Sequence, residues 1–181
     1  MAQGLDAGMW VFGYGSLMWN PGFAHEEHHV GRVAGYHRSL CLYSHVHRGT
    51  PDKPGLVLGL DRGGACRGMV FRVHARHAEE TIRYLRAREQ VNSVYLERQI
   101  AVSLDDGRRV SALAYVVDRR HRQYAGRLPL DELLRLVAAG EGQSGRNMDY
   151  VLATHDHLVG LGLRDPVLAG LERALRPSSQ P

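Results

Sequence analysis

The chain has 181 residues, 44% of them apolar and 23% charged, with a formal charge of +4 and no long low-complexity tract. That length and apolar content suit one globular domain with a true core, expected over residues 1–181 with the core at about 9–176. No apolar run approaches the roughly eighteen residues of a transmembrane helix, and residues 1–8 lack the basic start and apolar stretch of a signal peptide, so a cytoplasmic protein away from the membrane is expected.

In chain order, Met9-Trp10-Val11-Phe12 is a short apolar run that stops at Gly13-Tyr14-Gly15-Ser16-Leu17, which predicts a strand entering a glycine-flanked loop. Asn20-Pro21-Gly22 then turns the chain. Residues 30–33, 36–46, 55–60 and 66–73 read as strands, because β-favouring segments there alternate with glycine and proline punctuation. Residues 77–89 place Ala78, Ile82 and Leu85 at helical spacing among charges, which predicts an amphipathic helix on a sheet, with Glu89 at or near its end.

Residues 95–104 and 110–117 flank Asp105-Asp106-Gly107, a hairpin signal, and bring the predicted strands to about seven. The remainder is helical in period over 130–139, 147–161 and 166–175, with Gly140 as a stop and Asp165-Pro166 as a start. Strands first and helices last predict an α+β fold, and a largely antiparallel sheet of this size closes into a barrel to remove its edges. The expected architecture is therefore a small closed, mostly antiparallel β-barrel with surrounding helices.

Cys41 and Cys66 lie on separate apolar stretches without CxxC spacing, so buried reduced thiols are expected rather than a disulfide framework or a zinc knuckle. Arg119, Arg120, His121 and Arg122, with Arg127 nearby, read as a solvated face, since no nucleic-acid recognition motif accompanies them. His25-Glu26-Glu27-His28-His29 formally matches HExxH, which would suit a zinc hydrolase using His25 and His29. The segment follows a Pro-Gly turn and runs into Gly31, leaving little room for the helix that zinc geometry needs, so no metal is expected.

Glycines on both sides of Tyr14 allow consecutive backbone N–H groups to face one concavity that holds an anion, and Ser16 adds a hydroxyl. The loop is not GxGxxG, so no dinucleotide is implied, and Ser16 does not sit in the G-x-S-x-G context of a hydrolase nucleophile. Glu89 on composition alone is a solvated helix charge.

Taken together, Phe12-Gly13-Tyr14-Gly15-Ser16-Leu17-Met18-Trp19-Asn20-Pro21-Gly22-Phe23, Gly35-Tyr36-His37-Arg38, His47-Arg48-Gly49-Thr50-Pro51, Arg88-Glu89, Tyr124-Ala125-Gly126 and Ser144-Gly145-Arg146-Asn147-Met148-Asp149-Tyr150 resemble, in order and spacing, the ChaC-like γ-glutamylcyclotransferase family of bacterial type. The resemblance spans residues 9–163. It implies a small closed barrel dressed with helices, and an enzyme that cleaves a γ-glutamyl peptide, typically glutathione, to 5-oxoproline and the remaining peptide or amino acid.

By that resemblance, Gly13, Tyr14, Gly15, Ser16, Leu17 and Met18 form the substrate-binding loop, Glu89 is the catalytic acid/base and Tyr124 contacts substrate. The partner implied is a small γ-glutamyl peptide, with no cofactor, nucleic acid or membrane; the sequence names no protein partner. The alternative from another class is a non-catalytic module that binds γ-glutamyl groups with the same loop. Ser93 and Val94 depart from the family pattern, in which a glycine is common shortly before the tyrosine matched by Tyr95.

The implied reaction suits these residue types. The substrate α-amine is its own nucleophile, and one carboxyl group can take its proton and return one to the departing amine. Burial would raise the pKa of Glu89, whereas Arg86 or Arg88 turned inward would lower it, and the sequence leaves both open.

Overall fold

The computed structural model describes residues 8–89 and 93–176. Residues 1–7, on which most of the signal-peptide reading rests, and 90–92, just after Glu89, lie outside the described residues. The chain divides into two compact units, one drawn from residues up to 37 and 60–118, the other from 38–59 and 119 onward.

The first unit holds most of a closed five-stranded barrel in the order β1-β3-β2-β4-β5, with the end of β2 and the start of β3 belonging to the second unit. The strands are β1 (Met9–Gly13), β2 (Glu27–Ser44), β3 (Gly55–Val73), β4 (Tyr95–Leu104) and β5 (Arg109–Val117). β1 runs antiparallel to β3 from Met9↔Val73 to Gly13↔Met69, and β4 runs antiparallel to β5 from Tyr95↔Val117 to Ser103↔Arg109. Closure is parallel: Trp10 and Val11 of β1 pair with Ala112 and Leu113 of β5, and Leu60 of β3 pairs with Val116. With partners on both edges, β5 is buried along Ala112–Val117.

The expected fold class holds, but the strand division does not. Predicted strands 30–33 and 36–46 are one 18-residue strand, and 55–60 and 66–73 are one of 19. Gly35 (φ +84°), Gly63 (φ +101°) and Gly64 (φ +69°) were the apparent breaks; they adopt left-handed backbone inside the strands, bending them as a barrel wall requires rather than ending them. The hairpin at Asp105-Asp106-Gly107 forms as expected, with Gly107 at φ +90° and its N–H donating to the Leu104 carbonyl.

α1 (Ala75–Glu89) buries Thr81 and Leu85. Leu85 joins a core cluster with Val11, Leu17, Val73, Leu113 and Tyr115, against which Ile82, Phe23 and Tyr95 also pack.

The second unit holds α2 (Leu130–Ala139), the two-residue strands β6 (Glu141–Gly142) and β7 (Gly145–Arg146), α3 (Asn147–Gly160) and α4 (Pro166–Leu175). The short hairpin of β6 and β7 was not foreseen. α4 starts where Asp165-Pro166 predicts: the Asp165 carboxylate accepts the N–H groups of Val167 and Leu168 at 3.0 Å each, and also faces Arg38 Nη1 at 3.7 Å. Cys41 and Cys66 are buried thiols outside any disulfide, as expected. Among the described residues, no helix is long and apolar enough to cross a membrane.

Candidate active site

The glycine-flanked loop leaves the end of β1 and winds into one 3-10 turn, Ser16–Met18. Close approach explains Gly13 and, on the paired strand, Gly68. A Cβ on Gly13 would stand 2.9 Å from Leu17 Cβ and 3.3 Å from Met18 N, because the turn folds back over the strand end; a Cβ on Gly68 of the paired β3 would collide with the Gly13 carbonyl. The first hydrogen bond of the turn is Met18 N–H to the Gly15 carbonyl (2.9 Å), followed by Asn20 N–H to Ser16 O (2.8 Å). The peptide N–H groups of Ser16 and Leu17 therefore stand ahead of the turn's own ladder.

Side chains in the loop divide sharply. Tyr14, Leu17 and Met18 are buried, whereas Gly15 and Ser16 are half-buried. The chemistry this loop can present outward is consequently backbone N–H and the Ser16 hydroxyl.

Glu89 is the last residue of α1, one turn beyond Leu85 on the same helical face. Leu85 belongs to the same core cluster as Leu17 of the loop, so this face of α1 lies against the barrel core. Its side chain keeps only 17% of its exposure, and its carboxylate lies 3.5 Å from Arg88 Nε. Burial pushes the Glu89 carboxyl above its ordinary range, and the Arg88 cation opposes this without cancelling it. Both effects left open by the sequence thus operate, and desolvation wins.

Arg88 is the residue sequence reasoning undervalued. Its Nη2 donates to Ser16 Oγ (2.8 Å), while Nη1 donates to the carbonyls of Asn20 (2.7 Å) and Pro21 (3.4 Å) and to the Tyr84 hydroxyl (3.0 Å). One guanidinium therefore touches the loop, the turn after it, and the carboxylate beside it. The available signal was the spacing of Tyr84 and Arg88, four apart on one helix face. Arg86 turns the other way, into a two-pronged pair with Glu97 (2.9 and 2.8 Å), and Glu97 also accepts the buried Tyr115 hydroxyl (3.1 Å).

Tyr124 belongs to the second unit. It is half-buried, forms an isolated antiparallel bridge with Leu42, and carries the Arg119 guanidinium 5.9 Å from its ring centre. Glu89 is linked to the loop of Gly13 to Met18 through Arg88, which faces its carboxylate and donates to Ser16 Oγ.

The HExxH match does not form a metal-binding helix: residues 27–29 already belong to β2. His29 instead sits among Glu27 (2.8 Å), Asp105 (3.2 Å) and Arg108 (3.0 Å), and His25 Nδ1 lies 3.3 Å from the Phe23 carbonyl. Among the described residues no group of three or more His, Cys, Asp or Glu side chains is arranged to hold a metal ion.

Comparison with known proteins agrees with this fold. The family model of the ChaC-like proteins matches residues 9–177. A glutathione-specific γ-glutamylcyclotransferase of Escherichia coli is 36% identical over 90% of this chain and 71% of its own length, and the human glutathione-specific γ-glutamylcyclotransferase 1 is 33% identical over 92% and 78%. A crystal structure of a glutathione-specific γ-glutamyl cyclotransferase from yeast superposes with a TM-score of 0.83 at 22% identity, covering 93% of this chain and 95% of that one, a likeness of fold. This chain belongs to the ChaC-like protein family.

Proposed function

We propose that this protein is a γ-glutamylcyclotransferase that converts glutathione, or a related γ-glutamyl peptide, into 5-oxoproline and the released peptide or amino acid, with Glu89 as general acid/base. The observation that supports the assignment of Glu89 is a largely covered carboxylate at the end of α1, joined to the loop of Gly13 to Met18 through Arg88. The names of the relatives support the substrate class.

Glu89 first takes a proton from the substrate α-ammonium. The freed amine attacks the γ-carbonyl carbon, forming the new C–N bond of the five-membered ring and an oxyanion. Collapse of the oxyanion breaks the γ-amide bond, and Glu89 hands its proton to the departing nitrogen. In all, two protons leave the α-nitrogen and two arrive on the released amine, so the carboxyl finishes as it began. A pKa raised by burial suits this two-way duty, because the group must hold and release a proton near neutral pH.

The N–H groups of Ser16 and Leu17 are the donors suited to the oxyanion or to the substrate α-carboxylate. Tyr124 is proposed as a substrate contact. Much of the acceleration comes from holding the γ-glutamyl chain folded, since well-oriented ring closures reach effective molarities of about 10⁵ to 10⁸ M. The substrate brings its own nucleophile, so the reaction calls for no cofactor or metal. The cytoplasm is the proposed compartment, supported by two buried cysteines that are thiols rather than a disulfide.

The test is to incubate the purified protein with glutathione and a panel of γ-glutamyl amino acids and to quantify 5-oxoproline from each. Glutathione is expected to give product. A panel that yields none, with binding of the γ-glutamyl compounds retained, would replace the enzyme with a binding module.

A further inference from the structure

We propose that Arg88 is a positioning residue that fastens the glycine-flanked loop to the end of α1 and holds the Glu89 carboxylate beside it; this rests on the acid/base reading of Glu89.

The geometry leaves Arg88 no ordinary surface role. Its side chain is only 21% exposed, and its donors go to Ser16 Oγ, the Asn20 and Pro21 carbonyls and the Tyr84 hydroxyl, with Nε facing Glu89. A planar fork with five N–H groups can serve partners on three segments at once, which an ammonium cannot. Asn20 and Pro21 follow the 3-10 turn and Ser16 begins it, so the guanidinium clasps the turn at both ends. Tyr84, itself beneath Gly22, steadies Arg88 from the preceding helical turn.

The same cation sets the charge balance at Glu89. Among the described residues, titratable groups on the strands packed against α1 include Tyr95 of β4, Tyr115 of β5, whose hydroxyl feels the Glu89 charge, and Glu97 of β4, which is held low chiefly by its pair with Arg86. Among the described residues, Arg88 is the positive group that offsets the burial of Glu89. Losing it would trap the proton on Glu89 at higher pH and loosen the loop in one step.

The experiment compares the wild type with Arg88→Gln and Arg88→Lys by three readouts: carbon-13 NMR titration of the Glu89 carboxyl, the pH profile of kcat/KM for 5-oxoproline formation, and KM. In Arg88→Gln the Glu89 titration and the acid limb of the profile are both expected to rise by about one pH unit, with kcat/KM down about tenfold or more. Arg88→Lys keeps a charge but not the fork, so its titration stays near wild type while KM rises severalfold.

A Glu89 titration unmoved in Arg88→Gln would overturn the proposal, even if turnover fell, because a merely structural residue lowers activity without shifting that titration. If Arg88→Gln does not fold, Arg88→Lys decides: a KM equal to wild type removes the fastening role. A wild-type protein inert toward every γ-glutamyl compound would sink the proposed activity instead, and the NMR titration would still judge the hold of Arg88 on Glu89.

Discussion

The side-chain amide of Asn147 takes the place of a strand partner for Leu56: its Oδ1 accepts the Leu56 N–H at 2.8 Å and its Nδ2 donates to the Leu56 carbonyl at 2.7 Å. Both residues are fully buried, and two residues on, the Leu58 N–H donates to the Tyr150 hydroxyl at 3.1 Å. The stretch from Ser144 to Tyr150, which contributes to the family resemblance, therefore completes the free edge at the start of β3 within the second unit.

Replacing Asn147 should accordingly be a stability lesion. Asn147→Leu leaves a buried N–H and a buried carbonyl unpaired, which costs about 2–5 kcal/mol. Denaturant unfolding would register this as a lower midpoint at unchanged slope. A midpoint equal to wild type would mean that the Leu56 peptide groups find other partners.

Glu89→Gln should reduce 5-oxoproline formation by about a hundredfold or more, since the amide can neither accept nor return the proton, while substrate affinity stays near wild type. The same variant should be more heat-stable than wild type at neutral pH. The folded-state pKa of Glu89 lies above its unfolded value, so its contribution is fully present below the unfolded pKa and is lost as pH rises through the folded one. Melting curves from pH 4 to pH 8 should show the advantage of the glutamine variant growing with pH; a constant difference would argue against a raised pKa.

Glu27 has the opposite sign. Hydrogen bonds from Arg108 foremost, then from His29 and Arg72, bring its pKa down to about 2. Its contribution is present above the unfolded value of 4.5 and disappears as pH falls through about 2. His29, raised chiefly by Glu27, contributes fully below its unfolded value of 6.5 and loses that contribution as pH rises past its folded value. Glu27→Gln should therefore lower Tm most near pH 5 at low salt, with the gap narrowing in 1 M salt, as expected for about 3 Å of screening length, and toward pH 2. A Tm difference insensitive to both salt and pH would show that the cluster acts through packing instead.

Ser93, shortly before Tyr95, adopts φ +54° in the left-handed region that favours glycine. Ser93→Gly should remove strain and, after the added freedom of glycine in the unfolded chain, raise stability by up to about 1 kcal/mol, or roughly 2–4 °C in Tm for a chain of this size. A fall in Tm would indicate that the Ser93 side chain contributes more than its backbone costs.

Local chemistry made several features legible before any coordinates. Asp105-Asp106-Gly107 specifies a hairpin because the turn needs positive φ at its glycine, and Asp165-Pro166 specifies a helix start because a carboxylate caps free N–H groups and proline costs nothing there. The loop at Gly13 to Met18 and the position of Glu89 at the end of α1 were visible for the same reason: glycine spacing and helical period are written in neighbouring residues.

What the tertiary structure alone decided depends on partners distant in the chain. Gly35, Gly63 and Gly64 read as breaks, yet pairing across the barrel holds the strands through them. The parallel closure of β1 on β5 joins residues about a hundred positions apart, which no local period encodes. Arg86 and Arg88 are alike in sequence, but one meets Glu97 and the other Ser16, Asn20 and Glu89, because the barrel places different neighbours on adjacent helix faces. The direction of the Glu89 pKa follows from that placement, since desolvation arises from everything packed around a group and not from its own identity.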